Sequence, residues 1–505
     1  MLTSVHPTRV VTLNQLQRAF FNRVVTGSFD KLLLTGEAGT GKTFVLSMAV
    51  KALTDADLNV CVAAPTHLAR LNLIARLPAE AVCKVTAITV ASVLSKFGYD
   101  QGDGSTRFTE ANGRHLAKYD VIIIDEVSML GQKDFDVLKK SGTKMIFSGD
   151  FAQLPAVMAK SAMGDMLGTV VDHYHFTEQM RQVGVIHELA ERNRHAVHFP
   201  TVSVTGDEGE KIVVHNTTDD LVSEMIGKMC DEITDIGQAV NYRYITYTNN
   251  DVSVTNQHIR NTIVARFISL AALTEHFVPG EPMMMYENIN VAYNGEIVRV
   301  MRVETDPQYR YINPYPWQSY LLTISRPGSS VERVIHAIPP SQLPQYWAYF
   351  EDLQSQFHRA RIREEWDQAD ELLTEIRYIK SHWTRINYPY AVTCHKSQGM
   401  SIPYVFLNTA GFAKAPGKRA LLYVGISRAQ RELHAVRVVD SDRQRVAKIN
   451  AEYRAARAEY EALTGEGYAK VRRRTGLPTG TPEEKVIFTG YLQALILDLR
   501  QQVPC

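Results

Sequence analysis

The sequence predicts an α/β protein with two parallel-sheet domains. A β-hairpin is inserted in the first, and a barrel-like segment followed by helices in the second. Three observations predict it. From Lys31 to Phe147 the apolar runs KLLLTG, NVCVAAPT, YDVIIIDE and TKMIFSGD each end in a turn or an acidic residue, and most run into helix-compatible stretches, the pattern of parallel strands with crossover helices. A second alternation starts at RYITYTNNDVSVTNQHIRNTIVARF and resumes from YPYAVTCHKSQG through ELHAVRVV. Between those halves Gly280 to Ile338 is strand-rich, and Gln345 to Arg385 contains neither Gly nor Pro and is dense in Glu, Arg, Gln and Ala.

Taken in order, residues 1–178 form the first domain, with FGYDQGDGSTRFTEAN (Phe97 to Asn112) read as a hairpin within an insert at about 95–113. Residues 179–280 and 384–440 form the second domain. Residues 281–383 are the inserted module, its strands expected at MMMYENINVAYNGEIVRVMRVE, SYLLTIS and ERVIHAI. Residues 441–505 form a charged helical tail with a KVRRRTG cluster.

Composition narrows the partners little. The 505 residues are 45% hydrophobic and 22% charged, ordinary for a soluble globular protein with several cores. The net charge of +1 means that any grip on nucleic acid must come from locally gathered basic groups. Cys61, Cys83, Cys230, Cys394 and Cys505 form no CxxC pair and no zinc-spaced cluster, which fits a reducing compartment. No apolar run approaches the ~18 residues of a membrane span, and the N-terminus lacks a signal-peptide core. The expectation is a bacterial cytoplasm, or that of a phage-infected host, with no membrane partner.

The chemistry is most legible at GEAGTGKT, Gly36 to Thr43, which matches GxxxxGK[ST] between the strand KLLLT and the helical FVLSMAVKAL. Its glycines, Gly36, Gly39 and Gly41, let backbone N–H groups, including that of Thr40, approach phosphates at a helix N-terminus. Lys42 then reaches the β and γ phosphates of ATP, and the Thr43 hydroxyl ligates Mg²⁺. In VIIIDEVSM, Asp125 and Glu126 emerge from a strand's carboxyl end, where open α/β sheets bind ligands. Asp125 is assigned to Mg²⁺ and Glu126 to polarising the attacking water. An Asp-Glu pair after a strand is usually just an end cap; the loop at Gly36 gives it meaning.

GEAGTGKT, APTHLA, IIIDEVSM, FSGDFAQLPAV, AVTCHKSQGMS and LLYVGISRAQ, in that order, are similar to superfamily-one helicases. More narrowly, they resemble the Dda-like group of T-even bacteriophages and its RecD-type relatives. The likeness spans roughly residues 13 to 440, with the inserts aligning only loosely. It implies two RecA-like domains that bind and hydrolyse ATP between them while moving along single-stranded DNA. Gln17 of LNQLQRAF then offers an amide to adenine, though an exposed helix residue is the plain alternative. Gln153 senses the γ-phosphate, with Asp150 as its structural neighbour. Arg181 of TEQMRQ and Arg428 of VGISRAQ supply guanidinium groups to the nucleotide, Arg428 as an arginine finger. Gln398 of HKSQG contacts the phosphates.

For the DNA strand the resemblance implies contacts from Pro65, Thr66 and His67, from Thr89, and from Thr393 and His395. His67 could equally be a helix-cap residue. The family's TxH element departs here, because ITVASVL keeps Thr89 but has Ala91 where a His is common, which weakens the case for base stacking at that point while the Thr89 contact stays. Phe108 sits near the aromatic of the family's hairpin pin, where a mobile loop with a packed Phe is the alternative. Fork DNA, and single-strand-binding or replisome proteins, are the expected partners, and the direction implied is 5′ to 3′. A P-loop ATPase that does not move on DNA and a motor tracking RNA remain the alternative readings.

Overall fold

The computed structural model describes residues 13–501 except 38, 97, 101–105, 156–159, 171, 179–183, 199, 201, 208, 290–291, 311, 413–414, 437–441, 466, 468–469 and 472–481. The chain divides into two compact units, residues 1–97 with 108–183, and residues 98–107 with 184–505.

The first unit is built on a six-stranded sheet of β1 (Lys31–Gly36), β2 (Val60–Ala64), β3 (Thr86–Thr89), β6 (Val121–Ile124), β7 (Lys144–Gly149) and β8 (Asp172–Phe176). Its order is β3-β2-β6-β7-β1-β8, and every pairing is parallel. The apolar runs form these strands because both faces are covered: Leu32 and Leu34 pack with the helices α1 (Gln15–Val25) and α2 (Lys42–Asp55), while Leu33, Ile122 and Phe147 fill the opposite layer. A parallel sheet delivers all its strand ends to one edge. GEAGTGKT, Ala64-Pro65, Asp125-Glu126 and Asp150 therefore emerge at the same carboxyl edge. Between β3 and β6, β4 (Gly98–Asp100) and β5 (Thr106–Phe108) pair as a two-stranded sheet.

The second unit holds another six-stranded sheet, β17-β11-β18-β19-β10-β9, with strands β9 (Val204–Thr205), β10 (Lys211–His215), β11 (Tyr242–Thr246), β17 (Ala391–Thr393), β18 (Ile402–Leu407) and β19 (Ala429–Val436). All but β9 run parallel. The strand-rich insert folds as a five-stranded antiparallel sheet, β15-β14-β13-β12-β16, from β12 (Pro282–Met285), β13 (Ile297–Thr305), β14 (Tyr320–Ser325), β15 (Glu332–Ala337) and β16 (Ile386–Asn387).

The Gly- and Pro-free segment, with Leu343 and Pro344 as a first turn ahead of it, forms two helices, Leu343–Ile362 and Trp366–His382, broken where Glu364 takes a φ of 60°. Tyr346, Phe350, Leu353 and Phe357 recur at helical spacing and bury against Trp317, Ile376 and Trp383. The sheet insert is tied to the helix Asn249–Phe267 by Arg260, whose Nε lies 2.7 Å from Glu281 Oε1, both side chains being buried. The tail forms Asp442–Thr464 and Pro482–Gln501, which bury Tyr453, Tyr460, Phe488 and Leu492 together. Gly490 meets His258 of the helix Asn249–Phe267, where an added Cβ would come within 3.1 Å of the ring. Among the described residues no helix is long and apolar enough to cross a membrane.

Candidate nucleotide and nucleic-acid sites

In the first unit β1 ends at Gly36, where the chain turns so tightly under β8 that a Cβ would lie 2.5 Å from the Phe176 carbonyl oxygen. Gly39 and Gly41 hold φ values of 92° and 82°, left-handed backbone that other residues adopt only with strain. Gly41 is the N-cap of α2 and has no side chain to satisfy the first-turn N–H groups, which leaves them directed at the loop. Lys42 curls back so that its Nζ donates to the Gly36 carbonyl at 2.8 Å and the Glu37 carbonyl at 2.7 Å. Thr40 is buried and its hydroxyl donates to the Glu37 carbonyl, fixing the loop, while Thr43 is half-buried in the first turn of α2.

Gln17 departs from the exposed alternative. Its side chain is fully buried, and its Nε2 donates to the Thr40 carbonyl at 3.1 Å, which joins α1 to the phosphate loop. Its Oε1 accepts the Asn14 N–H in a capping box, so the amide is locked in orientation with a second N–H still to offer.

Asp125 continues β6, its N–H donating to the Ala63 carbonyl. Glu126 follows at φ 55° and ψ 41°, a left-handed conformation unusual for a residue with a side chain. The short helical turn Val127–Met129 crowds Gly149 so closely that a Cβ there would meet Val127 at 3.0 Å. Glu126 therefore carries a backbone conformation of the kind that costs free energy and recurs at functional sites. Asp150 is buried after β7 and accepts the Ala152 N–H at 3.0 Å, and Gln153 follows, buried in the same turn. β7 lies between β1 and β6 in the sheet, so Asp150 and Gln153 emerge between the phosphate loop and Asp125.

Two of the expected strand contacts have local duties. Thr66 caps α3 (His67–Ile74), its hydroxyl accepting the Ala69 N–H at 3.1 Å, and His67 is the first helical residue rather than the cap. Burial, with Arg70 nearby, pushes the His67 imidazole below its ordinary pKa, which favours the neutral ring. Pro65 is half-buried just before the cap. Thr89 is buried at the end of β3, and its hydroxyl accepts the Ser92 N–H at 3.2 Å, capping a short helix. Phe108 ends β5, and its side chain lies outside the described residues, as does the whole of Arg181.

In the second unit HKSQG leaves β17. Thr393 Oγ1 accepts the Lys396 N–H at 3.3 Å, and His395 is exposed. Gln398 is buried and its Nε2 has no hydrogen-bond partner among the described residues, an exception to the rule that buried donors are paired. Lys396 was not anticipated. Its Nζ sits 3.2 Å from the centre of the Tyr286 ring and donates to Asn294 Oδ1 at 2.9 Å. Burial, reinforced by Arg385, pushes it down to about 7. The lysine was visible within HKSQG; nothing in MMMYENIN marked Tyr286 as its platform.

Arg428 is buried, contrary to the solvated surface that an arginine ordinarily occupies. It ends the helix Lys418–Ser427 and donates from Nε to the Val424 carbonyl, from Nη1 to the Met400 carbonyl and from Nη2 to Ser427 Oγ. These bonds use three of the five N–H donors of a guanidinium and fix its plane.

A phosphate-binding loop with an acidic pair at the same sheet edge defines a P-loop nucleotide-hydrolase fold, joined here to a second parallel sheet of the same class. The comparisons carry this further. Residues 12–200 match the family model of an AAA domain, and residues 388–436 match that of a UvrD-like helicase C-terminal domain. The chain is 24% identical over 460 residues to the ATP-dependent DNA helicase dda of Enterobacteria phage T4, covering 84% of this chain and 99% of that protein. It is 31% identical over 160 residues to the ATP-dependent DNA helicase PIF1 of Trypanosoma brucei brucei, covering 29% of this chain and 15% of that one. A Bacteroides Pif1 helicase crystallised with ADP-AlF3 and ssDNA aligns at a TM-score of 0.44 with 16% identity, over 88% of this chain and 98% of that one. The chain is a homologue of the phage T4 Dda helicase and of the Pif1-family helicases.

Proposed function

We propose that this chain is an ATP-dependent DNA helicase that translocates 5′ to 3′ on single-stranded DNA and opens duplexes at forks. One observation carries the reading: a complete phosphate-binding edge on one parallel sheet is followed, in the same chain, by a second parallel sheet bearing HKSQG and the buried Arg428. A small-molecule kinase has no use for that second half.

In the proposed cycle the N–H groups of the Gly36–Thr43 loop and Lys42 hold the phosphates, and Lys42 exchanges its two loop carbonyls for phosphate oxygens. Gln17 offers its remaining N–H to the base. Mg²⁺, when bound, neutralises phosphate charge, and Thr43 and Asp125 are the residues that would hold it. Glu126 accepts the proton of the attacking water, with Gln153 beside it sensing the γ-phosphate. Gln398, Arg181 and Arg428 answer the charge that spreads over the γ-phosphate oxygens in the transition state. Pro65, Thr66 and His67 on one unit and Thr393 and His395 on the other contact the strand, and Thr89 holds the turn behind the first group. Nucleotide binding and hydrolysis then bias a hinge that lets the two grips step past each other.

The direction rests on the β4-β5 hairpin and the insert carrying NVAYNGEIVRV, which resemble those of the 5′-to-3′ group. ATP turnover measured with single-stranded DNA, single-stranded RNA, duplex DNA and no polymer tests the track. Strong stimulation by single-stranded DNA is expected; turnover indifferent to all polymers refutes the motor, and stimulation by RNA alone reassigns its track. Duplexes carrying only a 5′ or only a 3′ tail test the direction, and preference for the 3′ tail refutes it.

A further inference from the structure

We propose that Asp306, His336 and His382, within the inserted module, bind a divalent transition-metal ion of the zinc class. None of the three belongs to the nucleotide or strand-contact residues. They come from three separate elements: Asp306 follows β13, His336 lies on β15, and His382 ends the helix Trp366–His382. One ligand atom from each lies within 4.8 Å of the other two. His336 Nδ1 is 2.8 Å from Asp306 Oδ2, and the rings of His336 and His382 have centroids 4.2 Å apart.

The surroundings orient these groups as metal ligands are oriented. The buried Asp306 carboxylate accepts the Gln308 N–H on one oxygen and the Ser319 hydroxyl on the other, and Ser319 in turn accepts the Trp383 indole N–H at 2.8 Å. His382 is stacked on Tyr378 and met edge-on by Trp383. Such outer contacts fix ring and carboxylate directions before an ion arrives. The fourth position falls to water or to Tyr309, whose hydroxyl lies 3.5 Å from His382 Nε2.

The donor set decides the class of ion. Two imidazoles and one carboxylate suit zinc, cobalt or nickel, whereas Mg²⁺ and Ca²⁺ prefer all-oxygen shells. Metal–ligand bonds of about 2.0–2.1 Å in a tetrahedron place ligand atoms about 3.3 Å apart. The Asp306–His336 separation therefore opens by about 0.5 Å and the widest pair closes, rotations open to His336 and His382 because both are only half-buried. The ion would join the five-stranded sheet to the end of the helical pair, a cross-link independent of nucleotide.

Co²⁺ titrated into chelator-treated full-length protein, in an excess of Mg²⁺, tests this. The expected result is one equivalent of Co²⁺ giving the intense visible absorption of a four-coordinate site, displaced by Zn²⁺, with a raised Tm. His382→Ala and, as the variant closer in size, His336→Gln each abolish the band, while Lys42→Ala retains it. No such band in the unmodified protein overturns the proposal and leaves Asp306 and His336 as a hydrogen-bonded pair only. So does a band of undiminished strength in folded His336→Gln protein.

Discussion

Replacing Arg428 with Lys keeps a positive charge but removes the planar fork, and the structure sets the size of two separate losses. The first is stability. Arg428 is buried and makes three hydrogen bonds, two of them to the backbone carbonyls of Val424 and Met400. Hydrogen bonds from a charged group contribute about 1.5–3 kcal/mol each, and a lysine ammonium can recover part of this, so a net loss of about 2–4 kcal/mol follows. Domains start from about 5–15 kcal/mol, so most molecules remain folded except at the lowest end of that range. The second loss is catalytic. An arginine that meets γ-phosphate charge in the transition state accelerates turnover by about 10³–10⁵-fold, equivalent to about 4–7 kcal/mol at 1.36 kcal/mol per decade. Unfolding of a small fraction cannot imitate a thousandfold fall. Guanidinium denaturation gives the folded fraction, nucleotide binding is read by a fluorescent ATP analogue, and DNA-stimulated kcat is measured on the same preparation. The expected outcome is near-normal nucleotide affinity with kcat per folded molecule at least 10³-fold lower. A kcat within a few-fold of the unmodified chain, at a reduced midpoint, would show that Arg428 serves only the helix end and Met400.

Three further outcomes follow from the structure. Glu281→Gln should lower unfolding free energy by about 3–5 kcal/mol because it strands the buried Arg260 charge. The double replacement Arg260→Met with Glu281→Met should cost less than the single one in denaturant titrations, and equal or greater cost refutes the reasoning. Lys396 is depressed from its ordinary 10.5 to about 7. Below pH 7 both folded and unfolded chains carry its proton and the burial penalty is fully present; as pH rises from 7 toward 10.5 the folded chain sheds the proton first and the penalty is relieved. The stability of the unmodified chain relative to Lys396→Met should therefore rise between pH 7 and pH 9, and a flat difference in denaturation midpoints contradicts this. Phe108→Ala should retain DNA-stimulated ATPase and single-strand translocation while unwinding poorly, since base–aromatic stacking contributes about 1–3 kcal/mol, similar to one DNA stacking step. Loss of all three activities together, or of none, retires the pin.

The parallel sheets were legible because both obey local rules: short, largely apolar runs of four to six residues, each delivered to a turn, admit few other readings. The phosphate loop was legible because the GxxxxGK[ST] spacing, set between a strand and a helix, puts glycines where left-handed backbone is needed, and Gly39 and Gly41 adopt it. The long-range facts were not. Nothing near Glu126 announces its left-handed conformation, or the close packing of the next residue, Val127, on Gly149. The partners of Gln17 and Arg428 are set by tertiary packing that a motif leaves open: an amide on a helix and an arginine after one are ordinarily exposed, and both are buried. Thr66 and Thr89 carried a local signal, a threonine ahead of a helix, that their motif roles obscured. Asp306, His336 and His382 lie far apart along the chain and meet only because β13, β15 and a helix end converge, so no spacing rule for metal ligands detects them.

The central claim is that ATP turnover at the Gly36–Thr43 loop drives strand separation. The most direct test compares the unmodified chain with Lys42→Ala on a DNA duplex bearing a 5′ single-stranded tail, with ATP and Mg²⁺ present and folding verified by circular dichroism. Lys42 holds the γ-phosphate in this account, so the unmodified chain should separate the strands and the folded variant should not. Strand separation by Lys42→Ala at the unmodified rate, or none by the unmodified chain on either tail polarity, would contradict it.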